Sequence, residues 1–126
     1  MTSNRPKVLI IDDDPYHLEI YGLLVEHAGF TPVPTIVKFA GPEFPPETDI
    51  SLILLDYRLN SIKTAPEVAQ ELQHRFRGAP VLVLSDLWDM PEDVAPYAAG
   101  FVRKGEPEKL VSRMLELISG SDKILS

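Results

Sequence analysis

Five polar side chains follow short runs of apolar residues, and their types suit the handling of a phosphoryl group. The run KVLII ends at the pair Asp12 and Asp13, SLILL at Asp56, PVLVL at Ser85 and GFVR at Lys104. Carboxylates attract a hard divalent cation, an ammonium group pairs with a carboxylate or a phosphoryl oxygen, and a hydroxyl donates a hydrogen bond. Because a carboxylate can also act as a nucleophile, this set predicts metal-assisted phosphoryl transfer to an aspartate.

The cation that this acidic set predicts is Mg²⁺. Three carboxylates within a few ångströms of one another repel, so a bound cation is needed to make their crowding tolerable. Ligation by oxygen alone, in an open site that keeps waters, favours Mg²⁺ over Ca²⁺, and the chain lacks the twelve-residue calcium loop pattern. The chain has no cysteine, and its three histidines show no ligand spacing. Of these, His17 is predicted to be a satisfied histidine at the edge of the core.

The apolar runs are typical of buried parallel strands, and helical patterns separate them. The first helix is predicted to be capped by Asp14 and to stop at Gly29, and further helices are predicted over 66–76 and 107–118. The inner face of the first helix is predicted to carry Ile20, Leu24 and Ala28. Alternating strands and helices imply an α/β fold, a parallel sheet with right-handed crossovers in which ligands gather beyond the carboxyl ends of the strands.

Proline and glycine interrupt two of the crossovers. The second crossover contains Gly41, Pro42, Pro45 and Pro46, and the fourth contains Pro91 and Pro96. Because proline removes a backbone donor and clashes with the preceding turn, the sequence predicts short or irregular helices 2 and 4.

Length and charge limit the remaining possibilities. The 126 residues predict one domain, 1–126, with its core at about 6–119. A formal net charge of -7 opposes direct contact with nucleic acid or anionic lipid. No apolar run approaches the length of a membrane helix, and the lack of cysteine fits a reducing compartment, so a cytoplasmic location is expected.

With these motifs in place, the sequence resembles the response-regulator receiver family over nearly its whole length. The stretches that carry the resemblance are KVLIIDDDP, LILLDYRL, VLVLSD and GFVRK. The resemblance implies a flavodoxin-like (βα)5 doubly wound, five-stranded parallel sheet of order 2-1-3-4-5. It also implies the site residues: Asp12, Asp13, Asp56 and the backbone carbonyl of Arg58 at the metal, Asp56 as phosphoacceptor, Ser85 and Phe101 as switch residues, and Lys104 beside the phosphoryl group.

The function implied by the resemblance is Mg²⁺-dependent phosphorylation of Asp56 in a two-component system. The implied donor is a histidine kinase or a phosphotransfer protein carrying phosphohistidine. A homodimer or a downstream protein is the further expected partner. Such a domain is a signalling switch that takes part in its own phosphorylation and dephosphorylation, rather than an enzyme acting on a separate substrate.

The chain departs from the family pattern around the lysine and in the fourth crossover. Gly105 stands where the family usually has a proline, Asp86 where it has a small residue, and the segment 85–104 is a few residues shorter than usual. In that segment three roles are open for Trp88 and Met90: packing against the protein, which is favoured, a lid over the pocket, or an exposed contact with a partner. These departures leave two alternatives open: a degenerate receiver that acts as a phosphorylation-independent interaction module, and a hydrolytic Mg²⁺ phosphatase with Asp86 as its general acid.

Overall fold

The strands are β1 (Lys7–Asp12), β2 (Thr31–Lys38), β3 (Gly41–Pro42), β4 (Ile50–Asp56), β5 (Val81–Ser85) and β6 (Gly100–Arg103). This computed structural model describes the backbone of residues 5–125 and the side chains of residues 5–120. The strands form one sheet in the order β3-β2-β1-β4-β5-β6. All neighbours are parallel except β2 and β3, which are antiparallel. When β3 is left out and the other five strands are numbered in chain order, the sheet has the predicted order 2-1-3-4-5. The predicted flavodoxin-like fold is therefore confirmed.

The helices are α1 (Pro15–His27), α2 (Ala65–Arg75) and α3 (Pro107–Leu125). Asp14 caps α1 as predicted, since its side chain accepts a hydrogen bond from the Tyr16 N–H at 2.9 Å. Thr64 and Glu67 form a capping box at the start of α2. Among residues 5–125, no helix combines the length and the apolar character that crossing a bilayer requires.

The fourth crossover has the short, irregular helix that was predicted, whereas the second has no helix at all. Every residue from 39 to 49 is described and none is helical, so helix 2 is absent and the two-residue strand β3 adds a sixth, antiparallel strand to the predicted five. Helix 4 is reduced to the 3-10 turn Ala95–Tyr97. The clustered prolines explain both results, because they remove the N–H donors that helical turns need.

The core lies on both faces of the sheet. One apolar cluster packs under α2 and the other packs between the sheet and the helices α1 and α3. The inner face predicted for α1 was partly wrong: Leu24 and Ala28 are half-buried against the core, but Ile20 and its neighbour Leu23 are exposed. The buried residues of the helix are Leu18, Gly22 and Val25.

The outer edge of β2 carries two prolines. The Thr31 N–H donates to the Pro6 carbonyl beside β1 at 2.9 Å, so the N–H positions of Pro32 and Pro34 face away from β1. Proline is tolerated there because an outward position needs no donor for the ladder. The partner strand β3 pairs only with Val37 and Lys38.

Candidate functional site

Three carboxylates meet at the carboxyl edge of the sheet. Asp12 ends β1 and Asp56 ends the adjacent strand β4, while Asp13 follows Asp12 directly. Each residue offers a carboxylate oxygen, and these atoms all lie within 4.8 Å of one another. Asp12 is 1% exposed and Asp56 2% exposed, and Asp13 is partly buried. The predicted convergence of the acidic side chains is therefore observed.

Burial and mutual repulsion dominate the electrostatics of this pocket. Burial, together with the charges of neighbouring aspartates, raises the pKa of Asp12 to about 7, although the Asp14 N–H opposes the shift. Burial also raises the pKa of Asp56, with Lys104 acting in the opposite direction. The cause in both cases is the cost of holding a negative charge away from water.

Lys104 supplies the positive charge that faces Asp56. Its Nζ lies 2.7 Å from Asp56 Oδ1, and its side chain is 16% exposed. Burial alone would lower the pKa of Lys104, but the carboxylates of Asp56, Asp12 and Asp86 outweigh burial and raise it. Lys104 reaches Asp56 although a glycine, Gly105, follows it where the family usually has a proline. Gly105 has a φ of 87°, a conformation that proline cannot adopt.

The predicted switch residues lie on the neighbouring strands. Ser85 ends β5, is buried, and its hydroxyl accepts a hydrogen bond from the Leu87 N–H at 3.1 Å. Phe101 on β6 is partly buried against the core. The side chain of Arg58 is exposed in the loop after β4, and the role of its carbonyl as a metal ligand stays a prediction.

Two residues without a predicted role in the pocket touch its carboxylates. His17 Nδ1 lies 3.3 Å from Asp12 Oδ2, and its Nε2 lies 3.6 Å from Asp14 Oδ2. Its side chain is partly exposed, so the prediction of a core-edge histidine omitted its acidic neighbours. Asn60 Nδ2 donates to Asp13 Oδ2 at 2.6 Å. Helical periodicity from Asp14 could have placed His17 near the strand end, whereas no local signal indicates the Asn60 contact.

The segment after β5 is more open than predicted. Trp88 does not pack into the core: it is 78% exposed, and the Arg103 guanidinium lies 3.6 Å from the centre of its ring. Cation–π attraction accounts for this stacked arrangement at the surface. Asp86 is exposed, so its charge is partly solvated rather than enclosed with the three carboxylates.

The acidic pocket fits a hard divalent cation. Asp12 Oδ2 is buried and accepts no hydrogen bond of good geometry within the part of the chain that the structure describes, while Asp56 Oδ1 faces the Lys104 ammonium at 2.7 Å. Buried carboxylate oxygens need a compensating charge or donor, and Mg²⁺ prefers oxygen ligands. The residues present therefore suit the magnesium ion that the sequence predicts.

The raised pKa of Asp12 predicts how stability depends on pH without a metal. A carboxyl group whose pKa rises from 3.8 to about 7 on folding keeps its proton in the folded state after the unfolded chain has lost it. The free energy of unfolding in EDTA should therefore fall, by about 2 to 4 kcal/mol, as the pH rises from about 4 to about 7. Urea unfolding across this range measures the slope, and Asp12→Asn should flatten it. If the unfolding free energy changes equally with pH in the wild-type protein and in Asp12→Asn, the raised pKa does not belong to Asp12.

No protein-family model matches this chain. The chain is 26% identical over 125 residues to the DNA-binding dual master transcriptional regulator RpaA of Synechocystis, covering 94% of this chain and 52% of that protein. It thus spans about half the length of this curated relative.

Two solved structures are also similar. A CheY-like response regulator receiver domain protein from Methanospirillum hungatei matches with a TM-score of 0.75 and 17% identity, over 95% of this chain and 98% of that one. A response regulator receiver domain protein from Clostridium thermocellum matches with a TM-score of 0.76 and 18% identity, over 96% and 99%. At these identities, the two structures establish a shared fold.

Proposed function

We propose that this chain, a response-regulator receiver domain by its fold and its sequence resemblance, is a phosphorylation-controlled switch of a two-component signalling system. The observation that carries the proposal is the meeting of Asp12, Asp13 and Asp56 at one sheet edge, with Lys104 in contact with Asp56. A nucleophile, a cation site and an ammonium group are the parts that phosphoryl transfer to a carboxylate requires.

In the proposed reaction, one oxygen of the Asp56 carboxylate attacks the phosphorus of the donor. The bond between phosphorus and the donor nitrogen breaks, its electron pair stays with the donor imidazole, and a phosphorus–oxygen bond to Asp56 forms. Mg²⁺, held by Asp12, Asp13, Asp56 and the carbonyl of Arg58, would neutralise charge on the phosphoryl oxygens. The partly buried Lys104 supplies a second positive charge, which shifts from the carboxylate to a phosphoryl oxygen.

Ser85 and Phe101 are the proposed switch residues. The Ser85 hydroxyl accepts the Leu87 N–H and can donate its own hydrogen to a phosphoryl oxygen on the adjacent strand end. Such a bond would favour one conformation of the segment after β5. Phe101 lies on β6, the strand that pairs with β5. The phosphorylated state is thus proposed to favour one of two arrangements of this region.

The proposed phosphodonor is a histidine kinase or a phosphotransfer protein. Because Asp56 is buried, the donor has to cover the carboxyl edge of the sheet to deliver its phosphoryl group. The exposed side chains of Tyr16, Ile20 and Leu23 on α1 offer an apolar surface for that contact. Because these three side chains are exposed, they do not contribute to the core.

The output partner is proposed to be a protein, either a second copy of the chain or a downstream target. RpaA is a DNA-binding regulator, but this chain spans only about half of that protein. With a formal charge of -7, the described domain is proposed to make no direct contact with nucleic acid and to work in the cytoplasm.

Phosphorylation by a small-molecule donor tests the proposed function. After incubation with acetyl phosphate and Mg²⁺, the intact mass is expected to increase once by about 80 Da, with acetate as the leaving group. The increase should be absent in Asp56→Asn and in EDTA. No increase in the wild-type protein would reject the switch in favour of a phosphorylation-independent module, and multiple turnover of a phosphate ester would favour a phosphatase.

A further inference from the structure

The loop after β4 contains an unusual backbone conformation at Asn60. Its φ is 47°, and it is the only non-glycine residue with a positive φ within residues 5–125. Side chains with a Cβ avoid this region, although asparagine tolerates it better than most. Such conformations persist where the surrounding structure holds them, and they are frequent at functional sites. The conformation of Asn60 therefore indicates a functional role for this residue.

The surrounding loop is fixed at its outer side by the turn between β2 and β3. The Ile62 N–H donates to the Phe39 carbonyl at 2.9 Å, and the Ser61 hydroxyl donates to the same carbonyl at 3.1 Å. The loop then enters the capping box of α2 at Thr64. These contacts hold the loop against the turn that follows β2, the strand next to β1.

From this position, Asn60 reaches the acidic pocket. Its Nδ2 donates to Asp13 Oδ2 at 2.6 Å, across 47 positions of the sequence. Asp13 is more exposed than Asp12 and Asp56, so repulsion from those two carboxylates favours turning its side chain towards water. The amide opposes that movement, because it attracts the carboxylate without adding a net charge.

We infer that Asn60 is a positioning residue that holds Asp13 in the pocket, ready for a divalent cation. This inference deepens the proposed function and depends on its cation site. A carboxylate held through one oxygen keeps the other for the cation, and hydrogen bonds around metal ligands commonly fix their orientation in this way. Asn60 would thereby reduce the cost of ordering Asp13 when the ion binds.

Binding of Mn²⁺ by the full chain, measured from the electron paramagnetic resonance signal of the free ion and with Mg²⁺ as competitor, tests this inference. Asn60→Gly removes the amide but accepts the positive φ, so the midpoint of thermal unfolding should stay close to the wild-type value. Its affinity for both ions should nevertheless fall by about tenfold to a hundredfold. Asn60→Ala should lose the same affinity and also unfold at a lower temperature.

Ser61→Ala is the matched control, because it removes one side-chain anchor of the loop, while the backbone hydrogen bond from Ile62 to Phe39 and the Asn60 amide both remain. Its affinity for Mn²⁺ should equal that of the wild-type protein. If Asn60→Gly binds as tightly as the wild type, or if Ser61→Ala loses as much as Asn60→Gly, the amide does not position Asp13. If the wild-type chain binds neither ion, the cation site of the proposed function fails and the inference fails with it.

Discussion

Replacing Asp13 with alanine is expected to lower the affinity for Mg²⁺ by at least about a hundredfold while leaving the protein folded. Asp13 contributes one of the three carboxylates whose oxygens lie within 4.8 Å of one another. Removing it leaves two carboxylates and Lys104 around the pocket, so repulsion in the metal-free protein decreases. The free energy of unfolding without a metal should therefore rise, by about 1 kcal/mol for a partly solvated charge. Calorimetric titration with Mg²⁺ and urea unfolding in EDTA measure the two effects.

Asp89→Ala is a suitable control for this variant. Asp89 is exposed in the segment after β5, so the substitution makes the same change in net charge outside the pocket. It should leave both Mg²⁺ affinity and stability close to the wild-type values. An unchanged Mg²⁺ titration in Asp13→Ala would mean that the cation site has been assigned to the wrong residues.

Replacing Lys104 with methionine is expected to destabilise the metal-free protein by about 3 kcal/mol. Asp56 is 2% exposed, and the ammonium group of Lys104 is its close cationic partner. Without Lys104, the folded protein has to hold an unpaired buried charge or keep Asp56 protonated, and both are unfavourable at neutral pH. Adding Asp56→Asn removes the charge, so the double variant should recover most of the loss. Urea unfolding of the wild-type protein, the two single variants and the double variant gives the coupling free energy between Lys104 and Asp56.

Lys109, an exposed lysine of α3, provides the comparison for this cycle. Lys109 pairs only with Glu106 at the surface among the described residues, so Lys109→Met should change stability by less than about 1 kcal/mol. If Lys104→Met and Lys109→Met lose the same unfolding free energy, the pair of Lys104 and Asp56 adds no specific stability. A double variant as unstable as Lys104→Met would lead to the same conclusion.

The strands around the site could be predicted because they are continuous apolar runs. β1, β4 and β5 are buried on both faces, and each ends at a polar residue, so the carboxyl edge of the sheet could be located from sequence. β3 gave no such signal. It pairs through only two residues, and its existence depends on the turn that brings it back to β2.

The inner face of α1 was less predictable. Its sequence PYHLEIYGLLVEH places apolar residues on nearly every side, so periodicity does not select one face. Packing against the sheet buries Leu18 and Val25 and leaves Ile20 and Leu23 exposed.

Within the site, the sequence predicted the groups at strand ends but not the contacts made by loops. The positions of Asp12, Asp13 and Asp56 follow from the alternation of strands and helices. The contact between Asn60 and Asp13 depends on a positive φ and on anchors in a distant turn, which single-sequence patterns do not encode. The exposure of Trp88 depends on the loss of helix 4, which leaves a short surface segment in its place.

The two prolines of β2 also determine how copies of this protein can associate. A strand from another molecule would need outward N–H donors at positions 32 and 34 to extend the ladder, and proline has none. This border of the sheet is thus protected against the edge-to-edge aggregation to which open sheets are prone. A sheet that continued from one molecule into the next would therefore be less obstructed at the opposite border, along β6.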